Sequence, residues 1–148
     1  MSIFDDVLPD GQFQEQAFGP HEGYAGVLLA SSACDGHIAD EEVQSLVTIL
    51  GRMKLYQHVS SNRFGSMMDR LLGILKRKGP EQLVEQAVAA LPTELRETAF
   101  INACDIVLAD GVVEEDEKEF INTLMAKLGV SADRAKIIVK VMVYKNQG

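Results

Sequence analysis

An eight-residue acidic segment is written twice in this chain of 148 residues, and that repeat constrains the fold more than any other feature. Asp35-Gly36-His37-Ile38-Ala39-Asp40-Glu41-Glu42 aligns without a gap on Asp110-Gly111-Val112-Val113-Glu114-Glu115-Asp116-Glu117, 75 residues further on. Downstream, Leu46, Thr48, Ile49, Leu50 and Met53 fall on Ile121, Thr123, Leu124, Met125 and Leu128, so the following apolar face repeats in phase. Upstream, Ala33-Cys34 falls on Leu108-Ala109. The length suits one compact domain, expected over residues 1–148, with repeat one at about 20–78 and repeat two at about 93–146. Two such units bury one shared core when packed about a pseudo-twofold axis.

Hydrophobic spacing reads as helix nearly everywhere. Val43, Leu46, Val47, Ile49, Leu50 and Met53 recur at three- and four-residue steps behind Asp40-Glu41-Glu42, an apolar face preceded by an acidic first turn that suits the helix dipole. The same pattern predicts helices near 20–34, 61–78, 80–91, 93–109, 114–128 and 132–145, about seven in all, in an all-α fold. Gly79-Pro80 closes one helix and puts Pro at the first position of the next. Pro92-Thr93 supplies a turn and an N-cap, and Gly129 with Ser131 does the same later. The β-branched run Ile137–Tyr144 has strand character. A lone strand in a helical chain would leave its ladder groups unpaired, so helix is expected there too.

Charge alternates in blocks: residues 1–51 carry -9, residues 52–78 +6, residues 79–130 -8 and residues 131–148 +3. The net charge of -8 argues against a nucleic-acid binder, which needs a net basic face to displace counterions. No apolar run approaches the ~20 residues of a spanning helix, and the acidic segment Met1–Asp10 lacks the positive n-region of a secretory signal. Cys34 and Cys104 are too few for a disulfide framework and read as small buried thiols. A cytoplasmic, non-membrane-spanning protein is the expectation. Arg63, Arg70 and Arg77 form a basic stripe on the 61–78 helix, opposite Met67, Met68, Leu71, Leu72 and Leu75. Such a stripe docks an acidic partner or membrane surface, or is a solvated face paired with the protein's own acidic helices.

In each repeat, an Asp ends one helix and a Glu lies in the first turn of the next, with Gly permitting the left-handed bend between them. Close packing of the copies would let Asp35, Glu42, Asp110 and Glu117 converge. Two carboxylates about 5 Å apart repel by roughly 3 kcal/mol at an effective dielectric near 20, a cost that a bound cation removes. Oxygen ligands favour Ca²⁺, Mg²⁺ or Mn²⁺, while His37 would add a donor that Zn²⁺ prefers. The competing reading needs no ligand: Glu at the third helical position is half of a capping box, and acidic first turns stabilise the dipole. An EF-hand fails, because its first two ligand positions would be Ser31 and Ala33 in one copy and Ile106 and Leu108 in the other.

An Asp-Gly-x-(Ile/Val)-x-x-x-Glu motif occurring twice in a helical chain of this length resembles the TerB-like tellurite-resistance domain family. The resemblance covers about Gly19 to Tyr144, and the Ala-Asp-Gly-Val-Val segment at 109–113 is its closest local fit. It implies an internally duplicated helical fold, a divalent cation on the acidic residues, and a part in bacterial tellurite and chemical-stress resistance. Its partners would be other stress-resistance proteins, with the membrane as one meeting place, and it brings no catalytic activity. Two departures stand out: Cys34 faces Ala109 across the repeat, and Ala39 and Glu114 replace the small polar residue that usually starts the acidic helix. No Ser-His-Asp arrangement, P-loop or dinucleotide fingerprint is present. The expected function is a non-enzymatic cation-binding module. The alternatives are a metal-free interaction scaffold using acidic and basic helix faces and, more remotely, a hydrolase whose metal activates water.

Overall fold

The computed structural model describes residues 17–109 and 111–147. Among them are seven α-helices and no strand: α1 (Pro20–Ser32), α2 (Asp40–Gly51), α3 (Ser61–Lys78), α4 (Pro80–Ala90), α5 (Thr93–Val107), α6 (Glu115–Leu128) and α7 (Ala132–Lys145). The all-α expectation holds, including the β-branched stretch, which lies inside α7. Helices α1, α2, α4 and α5 stop one or two residues short of their predicted ends.

Helix α1 is the axis of the molecule. It is buried without interruption from Gly23 to Ser31, and a helix apolar all round belongs in a core. It packs most extensively on α4, then on α5. Gly23 and Gly26 make the approach to α4 possible: a Cβ on Gly23 would sit 2.9 Å from the Ala87 carbonyl oxygen, and one on Gly26 would sit 2.9 Å from the Ala87 Cβ. Tyr24 is fully buried, and its hydroxyl accepts a 2.7 Å bond from Asn102 Nδ2, joining α1 to α5. Leu28, Leu29, Leu71, Leu83, Phe100 and Leu124 complete the centre of the core. Each contributes about 1.5–3 kcal/mol by burial.

Contacts recur between the two halves. Helix α1 touches α2 and α3, α5 touches α6 and α7, and α1 meets α5 at the centre. Helix α4 has no counterpart and packs on α1, α3 and α6. The buried faces of α2 and α6, however, are not in the phase that the 75-residue alignment predicts. Leu46 and Leu50 are buried in α2, whereas their counterparts Ile121 and Met125 are half-buried and α6 buries Leu124 and Leu128.

Helix starts obey local chemistry. Ser60 and Ser131 cap α3 and α7, each hydroxyl accepting at 3.2 Å from the backbone N–H of Arg63 or Arg134. Pro80 stands at the start of α4 behind Gly79, as expected. The expected Thr93 cap is displaced: Pro92 holds the N-cap position and Thr93 is already helical. The ring of Pro92 fixes its φ at -60°, and a ψ of 146° completes the extended backbone that an N-cap takes. Between α2 and α3 lies a 3₁₀ turn, Lys54–Tyr56, that periodicity does not reveal. It buries Tyr56, whose hydroxyl donates to the His21 carbonyl at 2.7 Å, while His21 Nε2 bonds the Leu55 carbonyl at 2.9 Å.

Candidate functional site

The two Asp-Gly turns are built alike. After each helix ends, the glycine N–H closes a turn onto the carbonyl three residues back, Gly36 to Ala33 at 2.9 Å and Gly111 to Leu108 at 3.1 Å. Both glycines take positive φ, +94° and +79°. That region favours glycine, which has no Cβ to clash there, so the sequence pattern and the backbone agree. In the first turn Asp35 Oδ1 accepts from the His37 N–H at 3.0 Å, which orders the bend. Asp110 lies outside the described residues, as do residues 1–16 and Gly148.

Glu42 and Glu117 reach back to the starts of their own helices. Glu42 Oε1 accepts from the Ala39 N–H at 2.9 Å, and Glu117 Oε1 accepts from the Glu114 N–H at 2.8 Å. Neither N-cap side chain returns a bond, since Ala39 has no acceptor and that of Glu114 makes none. Each carboxylate therefore performs half of a capping box and satisfies one orphan helix donor. A cap of this kind uses one of about four lone-pair sites on a carboxylate.

The copies then exchange places. The first turn's Cys34 lines a cleft of about 310 Å³ with Asp116, Glu119 and Phe120 from the start of α6 and with Glu81 and Val84 of α4. Reciprocally, Ala109 of the second turn lines a cleft with Glu41, Glu42 and Ser45 from the start of α2. The acidic start of each copy's second helix thus lies against the turn of the other copy. At Cys34 the electrostatics register the arrangement: burial, then the negative charges of Glu117 and Asp35, push the thiol up to about 12. It stays protonated and unreactive at neutral pH. Cys34 sits in the turn, half-buried, and not inside a helix as its apolar surroundings predict; Cys104 is buried in α5 as expected.

Of the five candidate ligands, Asp35 and Glu117 bear on the Cys34 thiol through their charge, and Glu42 lines a cleft with Ala109. Asp35, His37 and Glu42 are exposed and Glu117 is half-buried. Among the described residues, no three His, Cys, Asp or Glu side chains gather as a metal-holding group. Glu81, Asp116 and Glu119 share the Cys34 cleft but stand outside the ligand set that the repeat suggests. Their nearness depends on which helix of one copy meets which turn of the other, and spacing within one copy carries no signal for that.

Other polar residues have structural partners. Asp105 accepts from Lys145 Nζ at 3.0 Å and from Asn146 Nδ2 at 3.0 Å, tying α5 to the end of α7. Arg134 pairs with Glu97 at the other end of the same interface. Arg70, in the basic stripe, lies 4.9 Å over the Phe18 ring. Met67 and Met68 are core residues. No helix among the described residues is long and apolar enough to cross a membrane. No family model, curated protein or solved structure matches the chain.

Proposed function

We propose that this chain is a non-enzymatic, divalent-cation-binding module of the TerB type, serving a bacterial tellurite or chemical-stress resistance system through partner proteins in the cytoplasm. The reciprocal packing of the two acidic turns supports the reading: Cys34 of the first turn lines one cleft with the acidic start of α6, and Ala109 of the second lines another with the acidic start of α2. A cation held between the turns would link the halves. Asp35, Glu42, Asp110 and Glu117 supply oxygen donors of the kind that Ca²⁺, Mg²⁺ and Mn²⁺ take, and His37 adds the nitrogen that favours Zn²⁺. The bend that unites each Asp-Gly-Glu set is one that only glycine makes cheaply.

Calorimetric titration of the full chain with Ca²⁺, Mg²⁺, Mn²⁺ and Zn²⁺ tests this. At a hundredfold excess over Kd, a bound cation adds about 2.7 kcal/mol, which raises Tm by about 5–10 °C in a domain of this size. No heat and no shift with all four cations would remove the proposal.

A second reading, the metal-free interaction scaffold, is favoured by the cap bonds that Glu42 and Glu117 already make. Glu117→Gln separates the two. Glutamine keeps an acceptor for the cap, so the scaffold reading expects at most about 1 kcal/mol lost, with no change in the response to cations. The cation reading expects the metal-induced rise in Tm to disappear.

A further inference from the structure

Helix α7 turns one face to the core and leaves the opposite one bare. Ala135 and Ile138 are buried, and Val139 and Met142 pack against the core. On the far side Ile137, Val141 and Tyr144 are 60, 51 and 61% exposed. Their spacing of four and three residues puts them in one line along two turns of helix. At about 100° per residue, Lys136 and Lys140 border that line on one side and Arg134 and Lys145 on the other. Arg134 and Lys145 are held by Glu97 and Asp105. Lys136 and Lys140 are exposed and make no ion pair among the described residues. The apolar line is thus edged by two lysines that have no ion-pair partner among the described residues, with exposed Asp133 at its N-terminal end, on a protein of net charge -8.

We propose that this face of α7 docks an acidic amphipathic helix of a partner protein. The partner's apolar stripe covers Ile137, Val141 and Tyr144, and its carboxylates meet Lys136 and Lys140, the helix-on-helix mode of peptide recognition. Charge selects this occupant over the others. A second copy meeting α7 with α7 would bring four unpaired lysines to one interface, a like-charge arrangement that costs affinity. An anionic bilayer would take the lysines but repel the acidic body, and three side chains make a narrower stripe than a helix lying in a membrane presents. This face is remote in sequence from both Asp-Gly turns, and it can dock a partner whether or not those turns bind a cation.

The test uses the full chain and a fluorescent synthetic helix with Leu at i, i+3, i+4 and i+7 and Glu on the opposite face, with a Lys-for-Glu version as control. Anisotropy should show saturable binding of the acidic helix and none of the basic one. Val141→Asp should weaken binding at least about tenfold, and Lys136→Glu with Lys140→Glu by a similar factor, with unchanged helical dichroism. Tyr144→Ser provides a milder variant should Val141→Asp disturb folding, and it too should weaken binding. Absence of binding, equal binding of both helices, or equal binding by the variants would overturn the proposal. So would self-association that Val141→Asp abolishes, or flotation with phosphatidylglycerol vesicles in place of peptide binding.

Discussion

The two copies of the acidic turn share the same glycine bend and cap bonds at their starts and part company at their ends. Gly36 and Gly111 bend alike, and Glu42 and Glu117 make the same cap bond at 2.9 and 2.8 Å. At the far end of the acidic helix, Gly129 takes φ +72°, and Val130 N–H bonds the Met125 carbonyl, so Ser131 begins α7 at once. In the first copy, α2 runs into the 3₁₀ turn and Ser60 opens α3 four residues later than the 75-residue register would place it. Those residues deliver Tyr56 to the core and bond it to the start of α1. Local chemistry is therefore duplicated where the chain must turn and cap, while packing decides the path of the chain beyond. Helix α1 is enclosed and α5 lies against it with a half-open face, so equal sequence starting points carry unequal burdens.

The largest test of that inequality exchanges counterparts between the central helices. Gly26 corresponds to the half-buried Ile101. Gly26→Ile drives a branched side chain into Ala87 and Leu83 of α4, where even a Cβ is 2.9 Å from its neighbour. A loss of about 3 kcal/mol or more is expected in urea unfolding. Ile101→Gly should leave a folded protein, weaker by about 2 kcal/mol from lost burial and helix propensity. Equal losses would mean that α1 and α5 are interchangeable.

Tyr56→Phe probes the latch that only the first copy owns. It deletes the hydroxyl that donates to His21 O and leaves that carbonyl without it, at a cost of about 1–2 kcal/mol. The second copy's loop, closed by Gly129, contains no such bond to lose. A neutral result in chemical denaturation would show that the 3₁₀ turn is a spacer and not a fastening.

Much of this architecture was legible in the residues. Helix positions came from periodicity, and the Asp-Gly turns, the Pro80 start, the Ser131 cap and the Glu caps all arise from chemistry within five residues of chain. Features that depend on distant partners were not legible. The Thr93 cap fails because Pro92 already has the extended backbone the position needs. The in-phase repeat of α2 and α6 fails because Leu46 and Leu124 face different neighbours, so rotating a helix by one position cost the sequence nothing that its pattern records. The 3₁₀ turn is three residues long and has no period. At the candidate site, the carboxylates themselves could be chosen from the repeat. The clefts where they meet Cys34 and Ala109 could not, being properties of how one half lies across the other.

A smaller effect should distinguish the two half-made capping boxes. Ala39 offers α2 no side-chain acceptor, so Ala39→Ser should complete the box with Glu42 and stabilise the protein by about 0.5–1 kcal/mol. Glu114→Ser supplies the same hydroxyl to α6 but removes a carboxylate that favours the helix dipole, so a gain of only a few tenths is expected. Thermal melts of both variants check the order. A larger gain at Glu114 would indicate that crowding of acids at α6, next to Asp116 and Glu117, outweighs their interaction with the dipole.

The last contrast, Cys34 against its counterpart Ala109, is silent at neutral pH and emerges in alkali. The folded thiol titrates at about 12 against an ordinary value near 9, pushed up first by burial and then by Glu117 and Asp35. Between those values the unfolded chain has released the proton and the folded one still holds it, so unfolding releases protons and stability falls as pH rises. The contribution is whole below pH 9 and lost on approaching 12. Cys104, also raised to about 12, and Tyr24, raised to about 12 from 10, steepen the same decline. Cys34→Ala copies the second turn into the first and removes one titrating group. Its stability-against-pH curve should match the parent's shape below about pH 9, then fall less steeply, by about one proton per molecule, above it. Were the slopes identical, neither burial nor the charges of Glu117 and Asp35 would be holding the folded thiol above its ordinary value.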